Sequence, residues 1–166
     1  RLPKIAQEMW SPMGRLAAVP DDKLDLSFME PATCETTAMQ ELDKWEATLD
    51  ANDVGAEPVT RAAIRWMRRN PPPPAQKLAM VHGDFRAGNF LYDDEARLIA
   101  VLDWEMAHRG DPLEDLAWSM ARVFSFGKDE RRSGVAPREE AIRIWQEASG
   151  LEVDPQAVHW WELLNC

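Results

Sequence analysis

The stretch Val81-His82-Gly83-Asp84-Phe85-Arg86-Ala87-Gly88-Asn89-Phe90-Leu91 is the densest polar cluster in the chain, and apolar residues bracket it on both sides. A loop emerging from a packed strand is implied. Three short apolar runs rich in β-formers surround it, at 78–81, 90–92 and 98–102, with Asp93, Asp94 and Glu95 as the turn between the last two. Loops mounted on a rigid scaffold are where catalytic groups concentrate, and Gly83 and Gly88 permit the backbone turns that bring Asp84 and Asn89 to one side. Fourteen residues past Asn89 comes Asp103, directly after the third run and followed by Trp104 and Glu105. A carboxylate, a carboxamide and a carboxylate thus stand at neighbouring strand ends.

Helical patterns lie on both sides of this region. Upstream, Ala38, Leu42, Trp45 and Leu49 recur at helical spacing and predict a helix from Thr36 to about Asp50. Turn residues 53–57 and Pro58 predict the start of a second helix with Val59, Ala62, Ala63, Trp66 and Met67 on one face, ended by Pro71 to Pro74 as a rigid connector. Residues 1–35 carry Pro3, Pro12, Pro20 and Pro31, a spacing that predicts only short helices or loops. Downstream, Asp111, Pro112 and Glu114 predict a capped helix with Leu113, Leu116, Ala117, Met120 and Phe124 buried. Two more helices are expected, from Pro137 to about Ser149 (Ala141, Trp145 and Ala148 inside) and from Pro155 onward (Val158 and Trp161 inside), the latter capped by Asp154. The tryptophans Trp45, Trp66, Trp118, Trp145 and Trp161 are expected in or at the edge of the core. The order of helices, a few short strands and helices again is an α+β architecture in which the strands carry loops. One domain over 1–166 is expected, with a helical part over 1–75, the loops over 76–110 and C-terminal helices over 111–166.

Composition narrows the function. The chain has 166 residues, 29 acidic and 19 basic, for a net charge of −10. At this length a folded chain buries roughly 68–70% of its unfolded surface, enough for a core without staples. An acidic balance argues against nucleic-acid binding, which draws its affinity from Lys and Arg on phosphates. No apolar run of about 18 residues exists, so no membrane span is expected. Two cysteines, Cys34 and Cys166, are too few for a disulfide framework, and free thiols in a reducing, cytoplasmic setting are expected. Nine acids between 21 and 50 face Arg61, Arg65, Arg68 and Arg69, which predicts two solvated helix faces in mutual attraction. The chain opens on Arg1 and stops inside a helical pattern at Cys166, as a fragment of a longer protein would.

Phosphoryl transfer needs the set of groups around the central loop, because its catalysis is mostly positioning and charge neutralisation. A carboxylate must receive the acceptor hydroxyl's proton, which suits Asp84. Oxygen ligands must hold Mg²⁺ against nucleotide phosphates, which suits Asn89 and Asp103. His82 is expected to stabilise the loop. His108 and His159 are expected as ordinary surface or packed histidines, and Asp111 and Asp115 as a helix cap and a first-turn acid.

His82-Gly83-Asp84, then Asn89, then Leu102-Asp103-Trp104-Glu105 resembles the signature of the aminoglycoside phosphotransferase and choline kinase-like enzymes, relatives of the protein kinases. The five-residue step from Asp84 to Asn89 equals the aspartate-to-asparagine step of the kinase catalytic loop. The stretch from His108 to Trp118, with Asp111-Pro112-Leu113-Glu114-Asp115-Leu116-Ala117, is similar to that family as well. The resemblance implies the C-terminal lobe of a kinase-like fold, ATP and Mg²⁺ as cofactors, and a small-molecule hydroxyl acceptor. It implies Asp84 as catalytic base, Asn89 and Asp103 as metal ligands, Arg86 on a phosphate or the acceptor, and His82 and Glu105 in support. Trp104 and Glu105 match the small-molecule branch rather than the protein-kinase form.

Residues 1–75 contain neither the glycine-rich phosphate cradle nor the strand lysine of that family's N-terminal lobe; Gly14 stands alone, and Lys4 and Lys23 have no strand around them. The missing lobe is expected as a partner from the same protein, and the chain alone is expected to fold but transfer phosphate poorly. Two other readings stand beside the phosphotransferase. One is a non-catalytic kinase-like binding module. The other is a metal-dependent hydrolase built on Asp84 and Asp103, which has few further ligands at recognisable spacing.

Overall fold

The computed structural model describes residues 1–20, 23–52, 55, 57–125, 127 and 130–166. Its first helix, α1 (Leu2–Ala18), overturns the expectation of short broken pieces, because it runs straight through Pro12. A proline inside a helix costs about 3 kcal/mol. Met9, Trp10 and Met13 of the same helix are each at most 2% exposed, and burying side chains of this size returns roughly 1.5–3 kcal/mol apiece, so packing outweighs the local rule. The face is laid along α5 (Arg138–Ser149), where Ala141, Ile144 and Trp145 are buried. Gly14 makes the close crossing possible: a Cβ there would stand 2.7 Å from the Trp145 carbonyl and 2.8 Å from the Ala148 Cβ.

The other expected helices form as α2 (Thr37–Ala51), α3 (Pro58–Arg69), α4 (Leu113–Ser119) and α6 (Pro155–Leu164). Asp154 caps α6 by accepting from Gln156 N and Ala157 N, both at 2.8 Å. Asp111 accepts from Leu113 N at 2.9 Å at the start of α4, and its other oxygen accepts from the Trp161 indole at 3.1 Å, joining α4 to α6. Trp10 of α1 donates to Ser119 Oγ at 3.0 Å. Trp145, Trp160 and Trp161 are buried and Trp118 is half-buried.

Two core expectations fail at α2 and α3. Trp45 and Trp66 are 44% and 46% exposed, Val59 is exposed, and the buried residues of α3 are Ile64 and Met67. Two helices that meet along one edge leave half of each apolar stripe uncovered, and here ion pairs join them: Arg61 to Glu46 and Asp50, and Arg68 to Asp43 and Glu46. The expected attraction of acidic and basic faces is therefore present. Phe124 is half-buried in a 3₁₀ turn (Arg122–Ser125) beyond α4 instead of extending its stripe. Of the turn expected before α3, Asp53, Val54 and Ala56 lie outside the described residues.

Four short strands make two antiparallel pairs. β2 (Phe90–Tyr92) and β3 (Leu98–Val101) form the expected hairpin, with Asp93 Oδ1 accepting from Glu95 N and Arg97 N in its turn. β1 (Ala79–Val81) pairs with β4 (His108–Gly110), with Ala79 opposite Gly110 and Val81 opposite His108. His-Arg-Gly has no β-former, and the neighbouring strand alone makes it extended.

Candidate active site

The loop from His82 to Asn89 leaves β1 and re-enters the structure at β2. Gly83 adopts φ +84° and faces Met106, whose carbonyl oxygen would lie 2.7 Å from a Cβ at this position. Both the left-handed backbone and the lack of room demand glycine. Below the loop, Asp115 of α4 accepts from His82 N at 2.7 Å and from Gly83 N at 3.0 Å. Asp115 is a first-turn acid of α4, as expected, and it is in addition the anchor of the loop, which the sequence did not show. Burial pushes its carboxyl up to about 7 against the pull of these two N–H groups.

His82 is fully buried and bridges the two halves of the site. Its Nδ1 accepts from Asp84 N at 3.1 Å and its Nε2 lies 2.8 Å from the Leu102 carbonyl, an assignment that puts the proton on Nε2. Leu102 N in turn donates to the Asn89 carbonyl at 2.8 Å. Leu102 is therefore clamped at both of its backbone groups, immediately before Asp103. Asp103 itself holds a left-handed backbone (φ 68°, ψ 56°), a conformation that costs a non-glycine residue roughly 1–2 kcal/mol and persists only where neighbours impose it.

Asp84 collects three side-chain donors. Arg86 Nε reaches both carboxylate oxygens at 3.0 Å, Asn89 Nδ2 donates to Oδ2 at 2.8 Å, and the Trp118 indole donates to Oδ1 at 2.7 Å. Asn89 Nδ2 also donates to the Asp84 carbonyl at 2.9 Å. The Arg86 guanidinium lies 6.0 Å from the Phe124 ring centre, and Phe124 packs edge-on against Trp118 at 5.0 Å. Asp84, Arg86 and Asn89 are thus in direct contact, and His82 couples them to Asp103 through Leu102. Asp103 is exposed, and among the described residues no hydrogen bond or ion pair holds its carboxylate. Glu105 does not join this group: it is exposed and lines a separate cleft of about 630 Å³ with Glu41, Lys44 and His108.

Trp118 was expected only as a core residue, and its indole N–H on Asp84 is what sequence reasoning missed. The signal available was its place in the Asp115-Leu116-Ala117-Trp118 run, which follows the loop at a fixed remove. His108 is a packed histidine as expected. Burial opposes its charge, yet the hydrogen bond and charge of Glu114, with the Met106 carbonyl and Glu41, outweigh burial and push it up to about 9.

A model of the phosphotransferase enzyme family matches residues 1–160. The chain belongs to this family. Among solved structures, one from Ralstonia eutropha named as an aminoglycoside phosphotransferase superimposes with a TM-score of 0.80 at 18% identity, over 97% of this chain and 52% of that one. A macrolide 2'-phosphotransferase type I does so with a TM-score of 0.73 at 18% identity, over 97% of this chain and 49% of that one. At these identities the likeness is one of fold, and the fold is α+β and protein kinase-like. Among curated relatives, acyl-CoA dehydrogenase family member 11 of Gallus gallus is 37% identical over 86 residues, which is 51% of this chain and 11% of that protein. Family member 10 of Mus musculus is 35% identical over 117 residues, 64% of this chain and 11% of that protein. This phosphotransferase-family chain therefore spans about half the length of the solved structures and a much smaller share of the curated relatives. Among the described residues no helix is long and apolar enough to cross a membrane.

Proposed function

We propose that the chain carries the catalytic loop of an ATP- and Mg²⁺-dependent phosphotransferase that moves the γ-phosphoryl group to a hydroxyl of a small molecule. The observation that supports it best is the 2.8 Å hydrogen bond between Asn89 and Asp84, joined through the clamped Leu102 to an Asp103 carboxylate that no described side chain engages. The donor set fits the cation. With Nδ2 committed to Asp84, Asn89 has its Oδ1 oxygen to offer, and Asp103 adds a carboxylate; a hard cation takes oxygen ligands of this kind.

When bound, Mg·ATP supplies the phosphoryl group and the neutralisation of its charge. Asn89 and Asp103 would hold the cation. Asp84 would orient the acceptor hydroxyl and take its proton as the acceptor oxygen bonds to the γ-phosphorus and the bond from that phosphorus to the bridging oxygen breaks, with ADP as the leaving group. Arg86, about a third exposed beside Asp84, is within reach of a phosphate oxygen by rotation of its side chain. His82 acts through its bonds to Asp84 N and Leu102, as a positioning residue. Cys34 and Cys166 form no disulfide, which fits a cytoplasmic setting.

The test is transfer from γ-labelled ATP by the gene product purified from its native source, its intact mass measured first. The acceptor panel holds aminoglycosides, macrolides and, following the names of the curated relatives, hydroxyl-bearing acyl thioesters. Asp84→Asn is expected to lower transfer about 10²–10⁴-fold, and Asp103→Asn to abolish Mg²⁺-dependent transfer. Full Mg²⁺-dependent transfer by Asp103→Asn would overturn the reading. Substrate hydrolysis without ATP that needs both aspartates would replace it with the hydrolase.

A further inference from the structure

Away from the catalytic loop, titratable side chains converge once more among the described residues. Glu41 from α2, His108 from β4 and Glu114 from α4 bring their ligand atoms within 4.8 Å of one another. His108 Nε2 stands 3.1 Å from Glu114 Oε2 and 3.6 Å from Glu41 Oε1. These spacings bracket the edge of about 3.3 Å that a tetrahedron with ligand bonds of roughly 2.0 Å requires. Both carboxylates are buried, Glu41 at 8% and Glu114 at 7% exposure.

An independent contact fixes the imidazole. His108 Nδ1 lies 3.0 Å from the Met106 carbonyl, which can only accept, so Nδ1 carries a proton and Nε2 is aimed at the carboxylates. A ring nitrogen held by a backbone carbonyl while the other faces outward is how metal-ligating histidines are oriented. Glu41 and His108 also line the 630 Å³ cleft, from which water can complete a coordination shell. Lys44 competes for Glu41 at 3.2 Å, and being half exposed it can leave for solvent.

We infer that Glu41, His108 and Glu114 form a divalent-cation site for a borderline transition metal of the zinc class, distinct from the Asn89 and Asp103 ligands of the nucleotide side. One imidazole nitrogen with two carboxylate oxygens suits zinc, whereas Mg²⁺ prefers oxygen throughout. The ion joins α2, β4 and α4. Because α4 also carries Asp115, which holds the backbone of His82 and Gly83, the site braces the element beneath the catalytic loop. Its role is structural, and it does not depend on the proposed transfer reaction.

The test uses the chain stripped with a chelator and titrated with zinc chloride by calorimetry, with thermal unfolding in parallel and no nucleotide or acceptor present. One zinc per chain and a raised Tm are expected, with Mg²⁺ producing neither. His108→Gln and Glu114→Gln are expected to weaken zinc at least tenfold, while Glu30→Gln, on the same cleft, leaves it unchanged. A readout that needs no variant is Co²⁺ loading: d–d bands without a thiolate charge-transfer band are expected. A flat zinc isotherm, affinity unchanged in His108→Gln, or a thiolate band assigning the ion to Cys34 or Cys166 would each overturn the site, leaving an ion-paired triad. None of these failures touches the phosphotransferase reading, which rests on Asp84 and Asp103.

Discussion

The cluster around Asp84 and the cluster of Glu41, His108 and Glu114 share a neighbour in Met106, which crowds Gly83 and gives its carbonyl to His108. They are held by different forces. Asp84, Arg86 and Asn89 are close in sequence, and their loop is fixed through backbone groups: His82 N and Gly83 N on Asp115, and Leu102 on His82 and Asn89. Glu41, His108 and Glu114 come from three elements far apart in the chain, and their side chains meet through charge, with the Met106 carbonyl orienting the imidazole. A site of the first kind is broken by changes to the backbone, and a site of the second kind by pH.

The largest effect that sharpens this contrast is expected from Gly83→Ala. The left-handed backbone costs alanine about 1–2 kcal/mol, and overlap with Met106 adds about 1–3 kcal/mol. A loss of about 3 kcal/mol in denaturant unfolding is expected; a loss under about 0.5 kcal/mol would show that the loop is not fixed through its backbone.

An intermediate effect is expected from pH, in the metal-free chain. His108 is raised from 6.5 to about 9 in the folded state, so its favourable charge is fully present below about pH 6.5 and is lost as pH rises through about 9. Stability measured by chemical denaturation should fall across that window, and His108→Gln should flatten the fall. A slope unchanged by the substitution would mean that charge does not hold the triad.

The smallest effect is expected from Trp118→Phe, which keeps the ring against Phe124 and removes one hydrogen bond to Asp84, at about 1 kcal/mol of stability. As a positioning contact it should lower kcat more than it raises KM in the transfer assay. A change in KM alone would place Trp118 on the acceptor instead.

Much of the loop cluster was legible because its members lie within a few residues of one another. Asp84 and Asn89 are five residues apart and do touch, and Asp154 caps α6 as read. The failures share a cause. Pro12 signalled a break that packing on α5 overrode, Trp45 and Trp66 had a helical stripe that the described residues cover only in part, and β4 is extended only because β1 lies beside it. Asp115 and Trp118 were visible as helix residues, yet which way each side chain turns depends on what passes overhead.

By itself the sequence determined the order of the elements apart from α1 and β4, the α+β class and the candidate residues of the loop, because propensity, capping and motif spacing act over a few residues. Only the tertiary structure decided that Asp115 anchors the loop, that Trp118 reaches Asp84, and that Glu41, His108 and Glu114 meet. Those contacts join residues far apart in the chain, so their distances depend on how the elements pack, which no local pattern encodes.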